Sequence, residues 1–125
     1  MISVEVDNRS GVEVDEPGAV ELAGHVLRSE GIDAGELGIA FVTEDEMRAL
    51  KREHLALDEV TDVLSFPIDG RDDVPAGVPR ALGDVVLCPQ VVRENWRWPL
   101  THGLLHLLGY DHGDEMETRE AVLLR

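Results

Sequence analysis

Residues Ile2-Ser3-Val4-Glu5-Val6 alternate apolar and polar, the period of a strand with one face buried, and Asp7-Asn8-Arg9-Ser10-Gly11 ends the run. From Glu16 the period becomes helical. Pro17 suits a first turn, and Val20, Ala23, Val26 and Leu27 recur at helical spacing until Gly31. Leu37 to Val42 is a short apolar run that predicts a second strand. Thr43-Glu44-Asp45-Glu46 then supplies an N-cap with a glutamate three positions on, predicting a capping box and a helix from about Glu44 to Leu55. Val63-Leu64-Ser65-Phe66 predicts a third strand stopped by Pro67, and Leu82 to Leu87 a fourth stopped by Pro89. Asp69 to Gly77, between them, is turn-rich and predicts a loop. Beyond Pro89 the pattern turns helical, is interrupted at Trp98-Pro99, and resumes from Thr101 to Leu108; Met116 to Leu124 predicts a closing helix. No internal repeat breaks the chain up, so helices and strands share one small core.

Composition narrows the class. At 125 residues, 43% hydrophobic and 30% charged, the chain fits one domain over 1–125 that buries roughly two thirds of its unfolded surface, which excludes a two-domain enzyme. No run approaches the ~20 apolar residues of a membrane helix, and Met1-Ile2-Ser3-Val4-Glu5 lacks a signal-peptide pattern; a cytoplasmic location with no membrane partner is expected. The single cysteine, Cys88, forms no internal disulfide and reads as a buried strand residue. Twenty-six acidic against eleven basic residues leave a charge of -15, which repels polyanions, so any contact with RNA must be local. An acid-rich surface whose only lysine is Lys51 also suggests adaptation to high salt, where that repulsion is screened.

Three of the five histidines fall in His102-Gly103-Leu104-Leu105-His106-Leu107-Leu108-Gly109-Tyr110-Asp111-His112. Four residues apart on a helix, His102 and His106 project from one face about one turn apart, close enough to hold one ion. Gly109 permits a left-handed turn that ends the helix and folds the chain back, which can bring His112 to the same ion from another direction. Three imidazoles in tetrahedral positions, with the fourth left to water, predict one zinc per chain on a zincin-like helix. The same donors also suit Cu, Fe or Ni. The spacing equals that of the metzincin proteases, H-E-x-x-H-x-x-G-x-x-H, but Gly103 stands where those enzymes carry a glutamate general base. A peptidase built on this helix lacks the carboxylate that moves the proton to the leaving amine, whereas a more activated electrophile such as a phosphodiester stays within reach of zinc-activated water.

The histidine run, with Thr61-Asp62-Val63-Leu64-Ser65-Phe66-Pro67 and Leu82-Gly83-Asp84-Val85-Val86, resembles the YbeY endoribonuclease family, also described as rRNA maturation factors. The three motifs stand in the family's order, and Met116, Glu120 and Leu123 fit its closing helix, so the resemblance covers most of the chain. It implies an α+β fold with helices on a small mixed sheet of about four strands, and one zinc held by His102, His106 and His112. It also implies metal-dependent cleavage of single-stranded RNA in maturation of ribosomal RNA, especially the 3' end of the small-subunit RNA, and in ribosome quality control. The partners implied are single-stranded RNA, ribosomal RNA and the ribosomal subunit; the oligomeric state stays open. Two features depart from the family. Leu55 occupies the position of an arginine that would clamp phosphate bidentately, with Arg52 one turn away as a substitute, and the segment from Pro89 to Thr101 is short.

The remaining roles have two readings each. Asp111 precedes a ligand and can fix a histidine tautomer, or it is a turn aspartate. Asp62 and Asp84 orient water in the cleft, or end strands. Arg93 and Arg97 hold phosphate near the metal, or pair with surface carboxylates. Trp96 and Trp98 pack over the shortened segment, or stack on bases. His25 and His54 carry no constellation. The nucleophile is water or the neighbouring 2'-hydroxyl, and a 2',3'-cyclic phosphate product excludes water as the first nucleophile. Two alternatives remain beside the nuclease: a zinc peptidase, and a non-catalytic ribosome-associated factor whose zinc takes a fourth ligand from Cys88 or Asp111.

Overall fold

The computed structural model describes residues 1–54, 63–111 and 113–124. Leu55, Thr61, Asp62 and His112, singled out above, lie outside the described residues. In chain order the elements are β1 (Ile2–Asn8), α1 (Glu16–Ser29), β2 (Gly35–Phe41), α2 (Glu44–His54), β3 (Val63–Pro67), β4 (Ala81–Leu87), α3 (Pro89–Val92), α4 (Arg97–Leu107) and α5 (Asp114–Leu123). The four strands form one mixed sheet in the order β1-β2-β4-β3, parallel except for the antiparallel β3/β4 pair. The fold is therefore α+β with a four-stranded mixed sheet and helices on both faces. None of the described helices is long and apolar enough to cross a membrane.

Local chemistry accounts for most boundaries. The Asp15 carboxylate accepts from the Gly18 amide at 3.0 Å to cap α1, and Ala19, Leu22, Ala23, Val26 and Leu27 make its buried stripe. Val20, counted into that stripe from sequence, is exposed, because it stands about 100° round the helix from Ala19. Thr43 Oγ1 accepts from the Glu46 amide at 3.1 Å, the first half of the expected capping box. The Glu46 carboxylate does not return to the cap; it takes the Arg9 guanidinium at 2.6 Å and ties α2 to the end of β1. Pro67 is the last residue of β3 rather than its stop, tolerated because β3 is an edge strand.

The principal core lies between the sheet and α1, α4 and α5; Leu37, Ile39, Phe41, Val85 and Leu87 face it from the strands. Pairing of β2 with β4 skips Leu82, a bulge that turns Leu82 into this core as well. A smaller cluster of Val42, Met47, Leu64, Val86 and Cys88 lies apart from it, with Met47 contributed by α2. The expected interruption at Trp98-Pro99 falls earlier. Arg93 carries a positive φ of 50°, and α4 starts at Arg97 with Pro99 in its first turn, where a missing N–H costs the helix nothing.

One buried acid joins three distant segments. Glu30 caps the C-terminal end of α1, where the helix dipole disfavours an anion, and its side chain is 3% exposed. Arg71 reaches it from the loop after β3 at 3.0 Å, Arg119 from α5 at 2.7 Å, and the Tyr110 hydroxyl donates to it at 2.7 Å. Hydrogen bonds to a charged, buried carboxylate contribute about 1.5–3 kcal/mol each way they are removed. Glu30→Gln is expected to lower the unfolding free energy by about 2 kcal/mol in urea titrations; an unchanged midpoint would show that these three segments hold together without it.

Candidate metal centre

Helix α4 is buried on nearly every side: Pro99, Leu100, Thr101, Gly103, Leu104, Leu105 and Leu107 are all inaccessible, leaving His102 and His106 half-buried along one edge. Helix and sheet meet at Gly103. A Cβ there would stand 2.8 Å from methyls of both Val63 and Val85 and 3.2 Å from Ser65 Oγ, and the Ser65 hydroxyl donates to the Gly103 carbonyl at 2.8 Å. The position of the protease glutamate thus faces packed sheet. The absence of a general base at 103 is a steric requirement of this fold.

The two imidazoles turn their Nε2 atoms toward each other at 3.2 Å, with the rings edge to face. Their outer nitrogens are engaged. His106 Nδ1 lies 2.9 Å from the Tyr110 carbonyl, which can only accept, so Nδ1 carries the proton and Nε2 keeps its lone pair. His102 Nδ1 lies 2.8 Å from the Glu120 carboxylate of α5, which favours the same tautomer. Gly109, at φ 97°, closes α4 in a Schellman turn: its amide reaches the His106 carbonyl and the Tyr110 amide the Leu105 carbonyl. That turn sets the Tyr110 carbonyl under His106, while the Tyr110 hydroxyl is anchored on Glu30, a bond that pushes its pKa up from the ordinary tyrosine value.

With both outer nitrogens donating, the two Nε2 atoms face each other in an arrangement that either a shared proton or a bound metal ion satisfies. Nitrogens bound 2.0–2.1 Å from a tetrahedral zinc sit about 3.3 Å apart, close to the 3.2 Å seen here. Outer N–H groups fixed by a carboxylate and a carbonyl are the usual support of metal-binding histidines. The donor set therefore fits a zinc ion held by His102 and His106 together with a further ligand. Among the described residues no third His, Cys, Asp or Glu side chain completes a ligand group.

These histidines line a cleft of about 1090 Å³ with Val63, Ser65, Pro67, Trp98, Met116 and Glu120. Other residues singled out from sequence lie elsewhere. Asp111 is exposed in a separate cleft beside Arg71 and is the partner of neither described histidine. Asp84 lines another cleft with Arg9, His54 and Phe66. Arg93 donates to the Gln90 carbonyl and Arg97 stacks over Trp96. Cys88 belongs to the smaller core, and burial pushes its thiol pKa up. Sequence reading gave no chemical role to Glu120 or Ser65. Glu120 was legible in principle, as an acid at an apolar position between Met116 and Leu123; Ser65 carried no such signal.

A mixed α+β sheet with paired histidines on a buried helix is the class these features define. The chain matches the family profile described as Endoribonuclease YbeY across residues 5–123. The protein of that name from Acidothermus cellulolyticus is 42% identical over 143 residues, covering 99% of this chain and 87% of the relative. Its counterpart from Beutenbergia cavernae is 44% identical over 135 residues, covering 95% and 89%. The solution structure of a Thermotoga maritima protein has the same fold, with a TM-score of 0.58 at 24% identity over 99% of this chain and 87% of that one. The chain belongs to the endoribonuclease YbeY family.

Gly103→Ala is expected to destabilise by about 1–2 kcal/mol, overpacking of roughly 1–3 kcal/mol outweighing a helix-propensity gain of up to about 1 kcal/mol. Gly24→Ala, whose Cβ meets only the flexible end of Arg28, supplies the control and should not destabilise. Thermal unfolding of the pair checks this; equal shifts would mean that Gly103 sets no limit on the approach of α4.

Proposed function

We propose that the protein is a zinc-dependent, single-strand-specific endoribonuclease, a cytoplasmic hydrolase of phosphodiester bonds that acts on ribosomal RNA in maturation of the small-subunit 3' end and in ribosome quality control. The observation that carries this reading is the pair of Nε2 atoms 3.2 Å apart at a cleft, with both outer nitrogens held, in a chain whose relatives are named Endoribonuclease YbeY. His102 and His106 would hold one zinc, with His112 as the third ligand on the sequence reading. When bound, zinc supplies a Lewis acid that lowers the pKa of water toward neutrality and polarises a phosphoryl oxygen.

The chain's own residues supply the preorganisation. Glu120 keeps the His102 proton on Nδ1 and the Tyr110 carbonyl keeps that of His106 there, so both rings present the same nitrogen to the ion. Asp62 stays as a proposal for orienting the nucleophile, and Asp111 only for fixing the tautomer of a metal histidine other than His102 and His106. A peptidase would need a carboxylate where Gly103 packs on the sheet. The fourth ligands that the sequence offered to a structural zinc, Cys88 and Asp111, do not line the histidine cleft.

Purified, zinc-replete protein, assayed at both low and high salt, is expected to cut single-stranded ribosomal RNA. Activity should be lost on chelation and in His106→Ala. Zinc bound at one per chain without cleavage under any salt condition would replace the nuclease by the non-catalytic factor. Glu120→Gln should weaken zinc about 10- to 100-fold by competition with a chromogenic chelator; unchanged affinity would remove Glu120 from the site.

A further inference from the structure

We propose that Trp98 is a nucleobase platform, stacking the base next to the scissile phosphate; the inference deepens the endoribonuclease reading and rests on it. Trp98 stands one turn before His102 on α4 and stacks on that imidazole, with centroids 4.9 Å apart and planes at 29°. It lines the same cleft as His102 and His106, yet 47% of its surface is exposed on a helix whose other large apolar residues are buried. An indole held against one ring by one side, and open to the cleft and solvent elsewhere, offers a π-face to a base.

Electrostatics points the same way. Among the described residues, the cleft lining contains two glutamates, Glu117 and Glu120, and no lysine or arginine. The whole chain carries -15. Phosphate attraction, the usual source of affinity for nucleic acid, is therefore opposed at long range, and apart from a metal ion at the histidines the attraction has to come from base faces on apolar and aromatic surface. Pro67, Met116, Ala121 and Leu124 continue that surface. Double-stranded RNA keeps its bases stacked inside the helix, so a platform of this kind selects single strands.

The test uses the full zinc-loaded chain in a Trp96→Phe background, where Trp98 is the only tryptophan. The probes are a short 2'-O-methyl oligoribonucleotide, which resists cleavage, and its abasic counterpart of equal charge. The base-bearing probe should quench indole fluorescence and the abasic one should not. Trp98→Ala should weaken binding about 5- to 100-fold, equally at low and high salt, while Trp98→Phe stays within a few-fold and zinc stoichiometry is unchanged. On cleavable RNA the loss should appear in KM. Should Trp98→Ala fail to fold, the base-bearing and abasic comparison on the parent decides alone. Equal binding of the two probes, or a Trp98→Ala effect confined to zinc affinity, would overturn the platform and leave the indole as a brace for His102. Absence of RNA binding and cleavage by the zinc-loaded parent would instead overturn the nuclease reading beneath it.

Discussion

At Gly103 the backbone of α4 rests on Val63 and Val85, closer than any side chain would allow, and Ser65 fastens the Gly103 carbonyl to β3. The geometry of the histidines descends from this contact. A helix of eleven residues is about 16 Å long and has little stability of its own in water. Leu100, Leu104, Leu105 and Leu107 must be buried for it to form at all, and that burial is complete only if the sheet lies directly against the helix axis. With the leucines and Gly103 committed to the core, His102 and His106 have one remaining edge to occupy, the one that opens on the cleft. The same residue that lets the helix dock also removes the position from which a peptidase base would act, so packing and reaction class are set by one missing Cβ.

The orientation of the rings depends on a second layer. Glu120 holds His102 directly. His106 is held through a relay: Glu30 fixes the Tyr110 hydroxyl, the Schellman turn at Gly109 fixes the Tyr110 backbone, and the Tyr110 carbonyl accepts the hydrogen bond from His106 Nδ1. Glu30 in turn takes Arg71 and Arg119, which brings the loop after β3 and the closing helix into the same arrangement. A buried acid with two arginines is an expensive element to place in a small domain unless its hydrogen bonds are complete, and here each carboxylate oxygen has two donors. What looks like a helix-end ion cluster is mechanically continuous with the ring of His106.

The strands, the two long helices and the paired histidines were legible in the sequence, since a period of two, a period of 3.6 and an i, i+4 spacing are local properties. So was the turn at Gly109, which needed only a residue at ease with positive φ. What the sequence could not disclose were partners distant along the chain. Glu46 reads as half a capping box, and only the fold shows that Arg9, 37 residues earlier, competes for its carboxylate. Glu30 and Tyr110 are 80 residues apart and carry no shared motif. The break before α4 was misplaced because Pro99 is a strong local signal, whereas Arg93, where the chain turns, has no residue-type signature for its positive φ. Asp111 was attractive by adjacency in sequence, but the outer acceptors of the described histidines come from one turn ahead and from another helix.

The charge of the chain bears on how such a site could meet RNA. Salt screens exposed charges beyond about 8–10 Å at moderate ionic strength, so a field of -15 spread over the surface weakens with distance faster than the contacts inside a cleft do. Under the proposed function, short-range contributions would then decide binding: stacking on an indole, apolar contact along Met116 and Leu124, and coordination at the histidine edge. A protein that attracted phosphate broadly would hold duplex and single strand alike. One that repels phosphate at long range, and rewards only a strand whose base can leave its stack and whose phosphate can reach the histidines, selects by local shape. On the proposed reading, acidity and a preference for single strands would be two consequences of the same distribution of side chains.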